Sequence, residues 1–218
     1  MDKKLIISDF EIMKIPAKEN GERLVSLREY SKEICIDIDS VSKKYEGLKD
    51  EECFVRESIA IMLSKAQSNL HNGIKIKIFD GYRSMKTQKR IYKIVFNEIK
   101  SKNHSLSNKE LSLETDTWVA NPKTIPPHTT GGAVDVTLLD KNGNEIDMGG
   151  KTNSVGEESL TFCQKISEEA KNNRKILIDI MENAGFVNYP GEWWHWCYGD
   201  RMWAYYSGKP YAIFDGVK

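Results

Sequence analysis

Residues 133–139 read Ala-Val-Asp-Val-Thr-Leu-Leu, a short run dominated by β-branched and aliphatic side chains. Such a run predicts a buried β-strand. Asn142-Gly143 follows closely and favours a tight hairpin turn. Working outward, the segment IKIKIF at 74–79 alternates apolar and charged residues with the period of a half-buried strand. These two segments predict two strands of the fold.

Three helices are predicted around these strands. The first has Asp50 as its cap and ends at Gly73, and its apolar side chains recur at steps of three and four. The second begins near Ser84, and the third covers 167–184. The polar stretch 101–127 between the second helix and the central strand is interpreted as a long connection.

The remaining strand signals lie toward the two ends of the chain. KLII at 4–7 and ICIDID at 34–39 are candidate strands, and 186–189 with 193–198 form a final strand pair. Helices and hairpins are mixed without the rhythm of βαβ units. The sequence therefore predicts an α+β fold, organised as a single domain over residues 1–218.

Composition excludes several functional classes. The chain has 218 residues with 32 basic and 32 acidic side chains, and this neutral balance argues against nucleic-acid binding. No apolar run is long enough to span a membrane. Asp9 and Glu11 interrupt the first apolar run, so we expect no signal peptide and a cytoplasmic location. The cysteines show no C-x-x-C spacing and are expected to be reduced and mostly buried: Cys35, Cys53, Cys163 and Cys197.

Two of the four histidines have neighbours that suggest chemistry. His128 precedes Asp135 by seven positions, and a flat strand would place them on opposite faces. A turn or bulge at the intervening glycine pair would allow them to converge. His195 follows Glu192 by three positions, so a bend is expected there as well.

These residues suggest two imidazoles and one carboxylate around a single ion. Three protein ligands with an open fourth position are typical of catalytic zinc, which activates water and polarises a carbonyl. Glu192 would take the proton of the water and pass it to a leaving amine. Arg83, in the turn after the strand at 74–79, would stabilise the charge that develops on the carbonyl oxygen.

A run of aromatic residues near the C-terminus has a simpler interpretation. Alternate tryptophans are expected to fill the core beneath the final strand, with one or two of them forming a wall of the site. The run consists of Trp193, Trp194, Trp196, Tyr198 and Trp203.

Four motifs, taken in order and with their spacing, resemble the D-alanyl-D-alanine dipeptidases, zinc peptidases of the kind found in vancomycin-resistance operons. The resemblance is dense over 53–206 and thin over the first 50 residues. The motifs are F-D-G-Y-R-S (79–84), P-P-H-T-T-G-G-A-V-D-V-T-L-L-D (126–140), D-M-G (147–149) and G-F-V-N-Y-P-G-E-W-W-H-W (185–196).

The resemblance implies a role for each candidate residue. His128, Asp135 and His195 would be the ligands of one zinc ion per chain. Glu192 would be the general base, and Arg83 would bind the substrate carbonyl oxygen and the oxyanion. The implied fold is a small α+β domain of the hedgehog/D,D-peptidase type, in which an antiparallel sheet holds the site.

The sequence departs from the family pattern in three places. Pro126 stands where some members have a serine that touches the substrate carboxylate. Asn153 stands roughly where relatives have an aspartate that meets the free amine of the substrate, and Glu157 or Glu158 are possible substitutes. The segment 38–50, which usually lines the pocket, is poorly matched. Asn153 is therefore a candidate substrate-binding residue, and strict dipeptide specificity is less firmly implied than the zinc chemistry.

The predicted function is zinc-dependent hydrolysis of D-Ala-D-Ala to two D-alanines. The closest alternative is a D,D-carboxypeptidase or related peptidase that acts on longer cell-wall peptides. Two others are a catalytically silent zinc-binding module and a non-haem iron oxygenase, which also uses two histidines and one carboxylate. The expected partner is a small D,D-dipeptide rather than nucleic acid or membrane, and the oligomeric state is left open.

Overall fold

A five-stranded sheet lies at the centre of the structure, a computed structural model that describes residues 6–49 and 52–218. Its spatial order is second, fourth, fifth, seventh and sixth strand, and the first and third strands form a separate two-stranded sheet. In chain order the strands of the described residues are β1 (Leu24–Ser26), β2 (Cys35–Ile36), β3 (Phe54–Arg56), β4 (Lys75–Asp80), β5 (Ala133–Leu139), β6 (Val187–Asn188) and β7 (His195–Cys197).

Strand β5 is the middle of the central sheet, and all seven of its residues are buried. It pairs antiparallel with β4 on one side and with β7 on the other. In β4 the predicted alternation is confirmed, because Ile76 and Ile78 are fully buried. The edge strand β2 runs parallel to β4, so the sheet is mixed rather than wholly antiparallel.

Helices cover the sheet and complete the predicted α+β fold, which is confirmed. Side chains of α3 and α6 join those of the sheet in the main hydrophobic core. No helix of the described residues is long and apolar enough to cross a membrane. The helices are α1 (Asp9–Ile12), α2 (Ser40–Glu46), α3 (Glu57–Ser68), α4 (Met85–Lys102), α5 (Asn108–Asp116), α6 (Glu168–Ala184) and α7 (Arg201–Tyr206).

The first predicted helix was placed too early. Its proposed cap, Asp50, and the following Glu51 lie outside the described residues. Residues Phe54–Arg56 form β3, whose backbone pairs with β1, and the helix α3 begins only at Glu57. It ends at Ser68, well before Gly73. The extended pairing therefore takes precedence over the helical apolar pattern at this end.

The connection predicted for 101–127 was wrong in part, because it contains the helix α5. The hydroxyl of Ser107 accepts from the backbone N–H of Glu110, and the Glu110 carboxylate accepts from the backbone N–H of Ser107. This reciprocal arrangement is a capping box, whose S-x-x-E pattern is present in the sequence. Burial of Leu111 and Thr115 anchors the helix.

The end of α6 and the final pair of strands lie close to their predicted positions. The third helix and its stop at Gly185, where φ is +108°, are confirmed. The final pair of strands is confirmed as β6 and β7, although both are shorter than predicted. Residues 4 and 5 of the strand predicted at 4–7 lie outside the described residues, and Ile6 and Ile7 are not in a strand. The four cysteines all lie within the described residues and form no disulfide there, and Cys35 is the one that is not fully buried.

Candidate active site

The register between β5 and β7 creates the centre of the site. Asp135 and His195 are direct partners across this antiparallel pair, so their side chains lie on the same face of the sheet. Oδ1 of Asp135 is 2.9 Å from Nδ1 of His195. Their approach needs no irregularity within either strand, because the sheet itself brings them together.

His128 reaches the same point from a short 3₁₀ turn, Pro127–Thr130. Its Nδ1 donates to the carbonyl oxygen of Gly81 at 2.9 Å, which leaves Nε2 3.4 Å from Oδ2 of Asp135. The glycine pair after the turn reverses the chain as predicted. Gly131 has φ of +74°, and a Cβ on Gly132 would lie 2.5 Å from the carbonyl oxygen of Tyr198.

The three side chains form a tightly coupled charge system. Burial is the largest single effect on His195 and lowers its pKa, but the hydrogen bond to Asp135 and the negative charges of Asp135, Glu192 and Asp200 together outweigh burial and raise the pKa to about 9. Burial alone would raise the pKa of Asp135, but the charges and hydrogen bonds of His128 and His195 hold it well below its usual range. Asp135 is therefore an ionised carboxylate flanked by two imidazoles.

This group fits a divalent metal ion. One donor atom from each of His128, Asp135 and His195 lies within 4.8 Å of the others, and all three residues are buried. Nε2 of His195 is buried without a hydrogen-bond partner among the described residues. Two imidazoles and one carboxylate form a donor set that suits zinc, and a cation here would take the place of the imidazole protons.

Glu192 lies beside this group in the turn that joins β6 to β7. Its backbone N–H donates to Tyr189, and its carbonyl oxygen accepts from His195, so the turn is tightly closed. One carboxylate oxygen lies 4.0 Å from Nδ1 of His195. Enclosure of the side chain raises the pKa of Glu192 above its usual value, although the nearby imidazoles and Arg83 oppose this effect.

Arg83 approaches from the end of β4. A register shift between Ile78 and Asp80 places Asp80 opposite Asp135, and a terminal nitrogen of Arg83 lies 3.6 Å from the Asp80 carboxylate. The backbone N–H of Arg83 donates to the carbonyl of His128. Its Nε is buried with no hydrogen-bond partner in the described part of the chain. The guanidinium therefore has donors left for a ligand.

These residues line one cavity of about 350 Å³, which also includes Asn153 and Trp194. Asn153 is exposed and has φ of +55°. Trp193 and Trp196 are buried in the core as predicted, and Trp194 forms part of the cavity wall. Glu157 is turned to an ion pair with Lys165 and does not line the cavity.

Sequence reasoning missed several acidic residues that line the cavity. They come from the α1, α4 and α5 regions and from the segment before α2, and no motif marks them. They are Asp9, Asp39, Glu98 and Asp116.

The fold and the site together define a candidate metal-dependent hydrolase. A family model described as D-ala-D-ala dipeptidase, of the peptidase M15 family, matches residues 28–213. This chain belongs to that family.

Two curated relatives carry the name D-alanyl-D-alanine dipeptidase. The protein from Synechocystis sp. is 35% identical over 154 residues, which cover 60% of this chain and 62% of the relative. The protein from Escherichia coli is 26% identical over 144 residues, which cover 66% of this chain and 65% of the relative. The matched region therefore spans less than two thirds of the length of either relative.

One similar solved structure is VanYB in complex with D-alanine-D-alanine. It has a TM-score of 0.47 and 20% sequence identity, and the match covers 72% of this chain and 80% of that one.

Proposed function

We propose that this protein is a zinc-dependent D,D-dipeptidase that hydrolyses D-Ala-D-Ala to two D-alanines. The observation that carries the proposal is the convergence of His128, Asp135 and His195 beside Glu192 and Arg83 in one cavity. Membership of the peptidase M15 family and the names of the curated relatives support the substrate class.

His128, Asp135 and His195 would hold one zinc ion. When bound, zinc supplies a Lewis acid that polarises a carbonyl and lowers the pKa of water. The hydrogen bond from Nδ1 of His128 to Gly81 fixes the tautomer of this ring and leaves Nε2 as the donor atom. The sheet register orients Asp135 and His195 before any cation arrives.

Glu192 acts as the general base and then as the general acid. Its carboxylate takes a proton from the attacking water and later delivers it to the nitrogen of the leaving amine. A raised pKa suits this role, because the carboxyl group must hold the proton between the two steps. The closed turn around Glu192 keeps the carboxylate beside the ligands.

Arg83 binds the substrate carbonyl oxygen and stabilises the negative charge that develops there. Its Nε has no hydrogen-bond partner in the described part of the chain, and the contact of a terminal nitrogen with Asp80 is a loose one of 3.6 Å. Asp80 keeps the guanidinium at the cavity without neutralising it through a close bidentate pair.

The test is an assay of free and N-acylated D- and L-dipeptides with the zinc-loaded protein and after removal of metal by a chelator. We expect hydrolysis of D-Ala-D-Ala that is lost with the chelator and restored by zinc. Preferential cleavage of N-acylated or longer peptides would identify a D,D-carboxypeptidase instead. A folded, zinc-loaded protein that cleaves none of the panel would refute the peptidase assignment and favour a silent zinc-binding module.

A further inference from the structure

The active-site cavity has an acidic end where it meets a second cavity. This second cavity has a volume of about 590 Å³ and is bordered by the N-terminal segment, by α5 and by residues 154–160. The residues that line both cavities mark their junction, and they are Asp9, Asp116, Thr117, Tyr189 and Glu192. A ligand at Glu192 therefore extends toward Asp9 and Asp116.

Asp9 is an incompletely satisfied carboxylate at this junction. It lies in the first turn of α1, ahead of the residues that match the family model. Among the described residues, its side chain accepts one hydrogen bond, from the backbone N–H of Asn121 to Oδ2 at 3.2 Å. Burial, with a further contribution from the charge of Asp116, raises the pKa of Asp9. These two effects outweigh the hydrogen bond from Asn121 and the charge of His195, both of which favour the ionised carboxylate.

Asn121 holds the two carboxylates next to each other. Its backbone N–H donates to Asp9, and its side-chain amide donates to Oδ1 of Asp116 at 2.9 Å. The same oxygen of Asp116 accepts from the hydroxyl of Tyr92 at 2.7 Å. All three donors are neutral, so they position the carboxylates without cancelling their charge.

Charge around the cavity points to a cationic ligand group at this end. The Arg83 guanidinium faces Asp80, and among the described residues no lysine or other arginine lines the cavity. A partly buried carboxylate pair without a cation is unfavourable, and an ammonium group would offset the cost. His195 lines the same cavity, and its buried Nε2 has no hydrogen-bond partner among the described residues, so the candidate metal centre and the acidic end belong to one cavity.

We propose that Asp9 and Asp116 bind the free ammonium group of the substrate and so select peptides with an unblocked N-terminus. The inference rests on the proposed dipeptidase function. Asn153 stands roughly where relatives have the aspartate that meets the substrate amine, but it is neutral and exposed. Asp9 and Asp116 would supply the negative charge that Asn153 lacks. The N-terminal helix α1 thereby contributes a specificity residue.

The decisive variant is Asp9→Asn, because its side-chain oxygen can still accept from Asn121 while the charge is removed. We expect the KM for D-Ala-D-Ala to rise at least about tenfold with little change in kcat, since a charge-assisted hydrogen bond is lost from binding. Turnover of N-acetyl-D-Ala-D-Ala, which lacks the ammonium, should be the same in the wild type and in Asp9→Asn. Glu11→Gln is the matched control on the same helix, because Glu11 is exposed and paired with Lys14.

An unchanged KM for D-Ala-D-Ala in a folded Asp9→Asn protein would overturn the proposal. If this variant does not fold, the wild-type preference decides, and less than a twofold preference for D-Ala-D-Ala over its N-acetyl form would overturn it.

Calorimetric binding of D-Ala-D-Ala to a Glu192→Gln protein, with and without Asp9→Asn, separates the two proposals. A lower affinity for D-Ala-D-Ala in the double variant supports the ammonium site even if the wild type has no turnover. An equal affinity with and without Asp9→Asn overturns it.

Discussion

Asp135 and His195 face each other across the β5–β7 pair, with 2.9 Å between Oδ1 and Nδ1. The pair exists because of strand register and is buried on both sides. In the metal-free protein the hydrogen bond between Asp135 and His195 therefore forms only when the sheet is folded, so it contributes to folding stability.

We predict that the metal-free protein loses stability as the pH rises from about 7 through 9. His195 has a pKa of about 9 in the folded protein, above its value of 6.5 in the unfolded chain. The stabilisation is fully present below the unfolded pKa and disappears as the pH rises through the folded pKa. Thermal melts across this range, in the presence of a chelator, measure the effect. A zinc-loaded sample is the control, since its imidazole is already deprotonated, and an equal loss in both samples would contradict the prediction.

Glu192→Gln should lower kcat for D-Ala-D-Ala by about 10²- to 10⁴-fold, the usual contribution of a positioned acid–base group. Zinc content should not change, because Glu192 is not one of the three grouped donors. Steady-state kinetics and metal analysis check the two statements. Glu182→Gln, at an exposed position on α6, is the matched control. Near-normal activity of Glu192→Gln would remove Glu192 from the mechanism.

His195→Ala should abolish stoichiometric zinc binding, because two remaining protein donors do not make a site of the usual three or four ligands. Metal analysis after dialysis checks this outcome. His71→Ala is the appropriate control, since His71 is exposed and does not line the cavity. Equal zinc content in wild type and His195→Ala would refute the assignment of this ligand.

Arg83→Lys should reduce kcat/KM by about 10²-fold or more, in the range found when one donor to a developing oxyanion is lost. Lysine keeps the charge but not the planar fork of donors. The same change at the exposed Arg90 of α4 should leave kinetics unaltered. If Arg83→Lys retains full kcat/KM, the guanidinium does not contact the reacting carbonyl.

Gly132→Ala should destabilise the protein by about 1–3 kcal/mol, the usual cost of forcing extra atoms into a packed site. Its Cβ would lie 2.5 Å from the backbone carbonyl of Tyr198, and a backbone atom cannot swing away as a side chain can. Zinc affinity should fall as well, since the glycine separates His128 from Asp135. Gly216→Ala, whose nearest contact is 3.4 Å, is the control. Chemical denaturation that shows equal stability for both variants would contradict the steric argument.

Much of the fold follows from local patterns. The alternation over β4, the aliphatic run of β5 and the stop at Gly185 of α6 each lie where the sequence predicts. The start of α3 was misplaced because β3 gains its hydrogen bonds from β1, a partner about thirty residues away that periodicity does not reveal. On α6 the apolar Ile176 is exposed, whereas the charged Arg174 is buried and donates to the carbonyls of Met148, Leu160 and Glu158.

The candidate site also combines features that the sequence predicts with features that it does not. The bend at the glycine pair was predictable, since only glycine tolerates the crowding and the positive φ found there. The meeting of Asp135 with His195 was not, because it depends on the register between two strands. Asp9 and Asp116 could not be found from sequence, since they belong to separate helices and are brought together through hydrogen bonds from Asn121.

The order of these segments along the chain bears on biosynthesis. His128 and Asp135 flank one short turn and leave the ribosome almost together, whereas His195 lies on β7, downstream of every other strand in the described residues. A nascent chain thus carries only two of the three proposed ligands until β7 docks. The proposed metal site can therefore be completed only after the sheet is assembled, and a chain truncated before β7 would lack its third ligand.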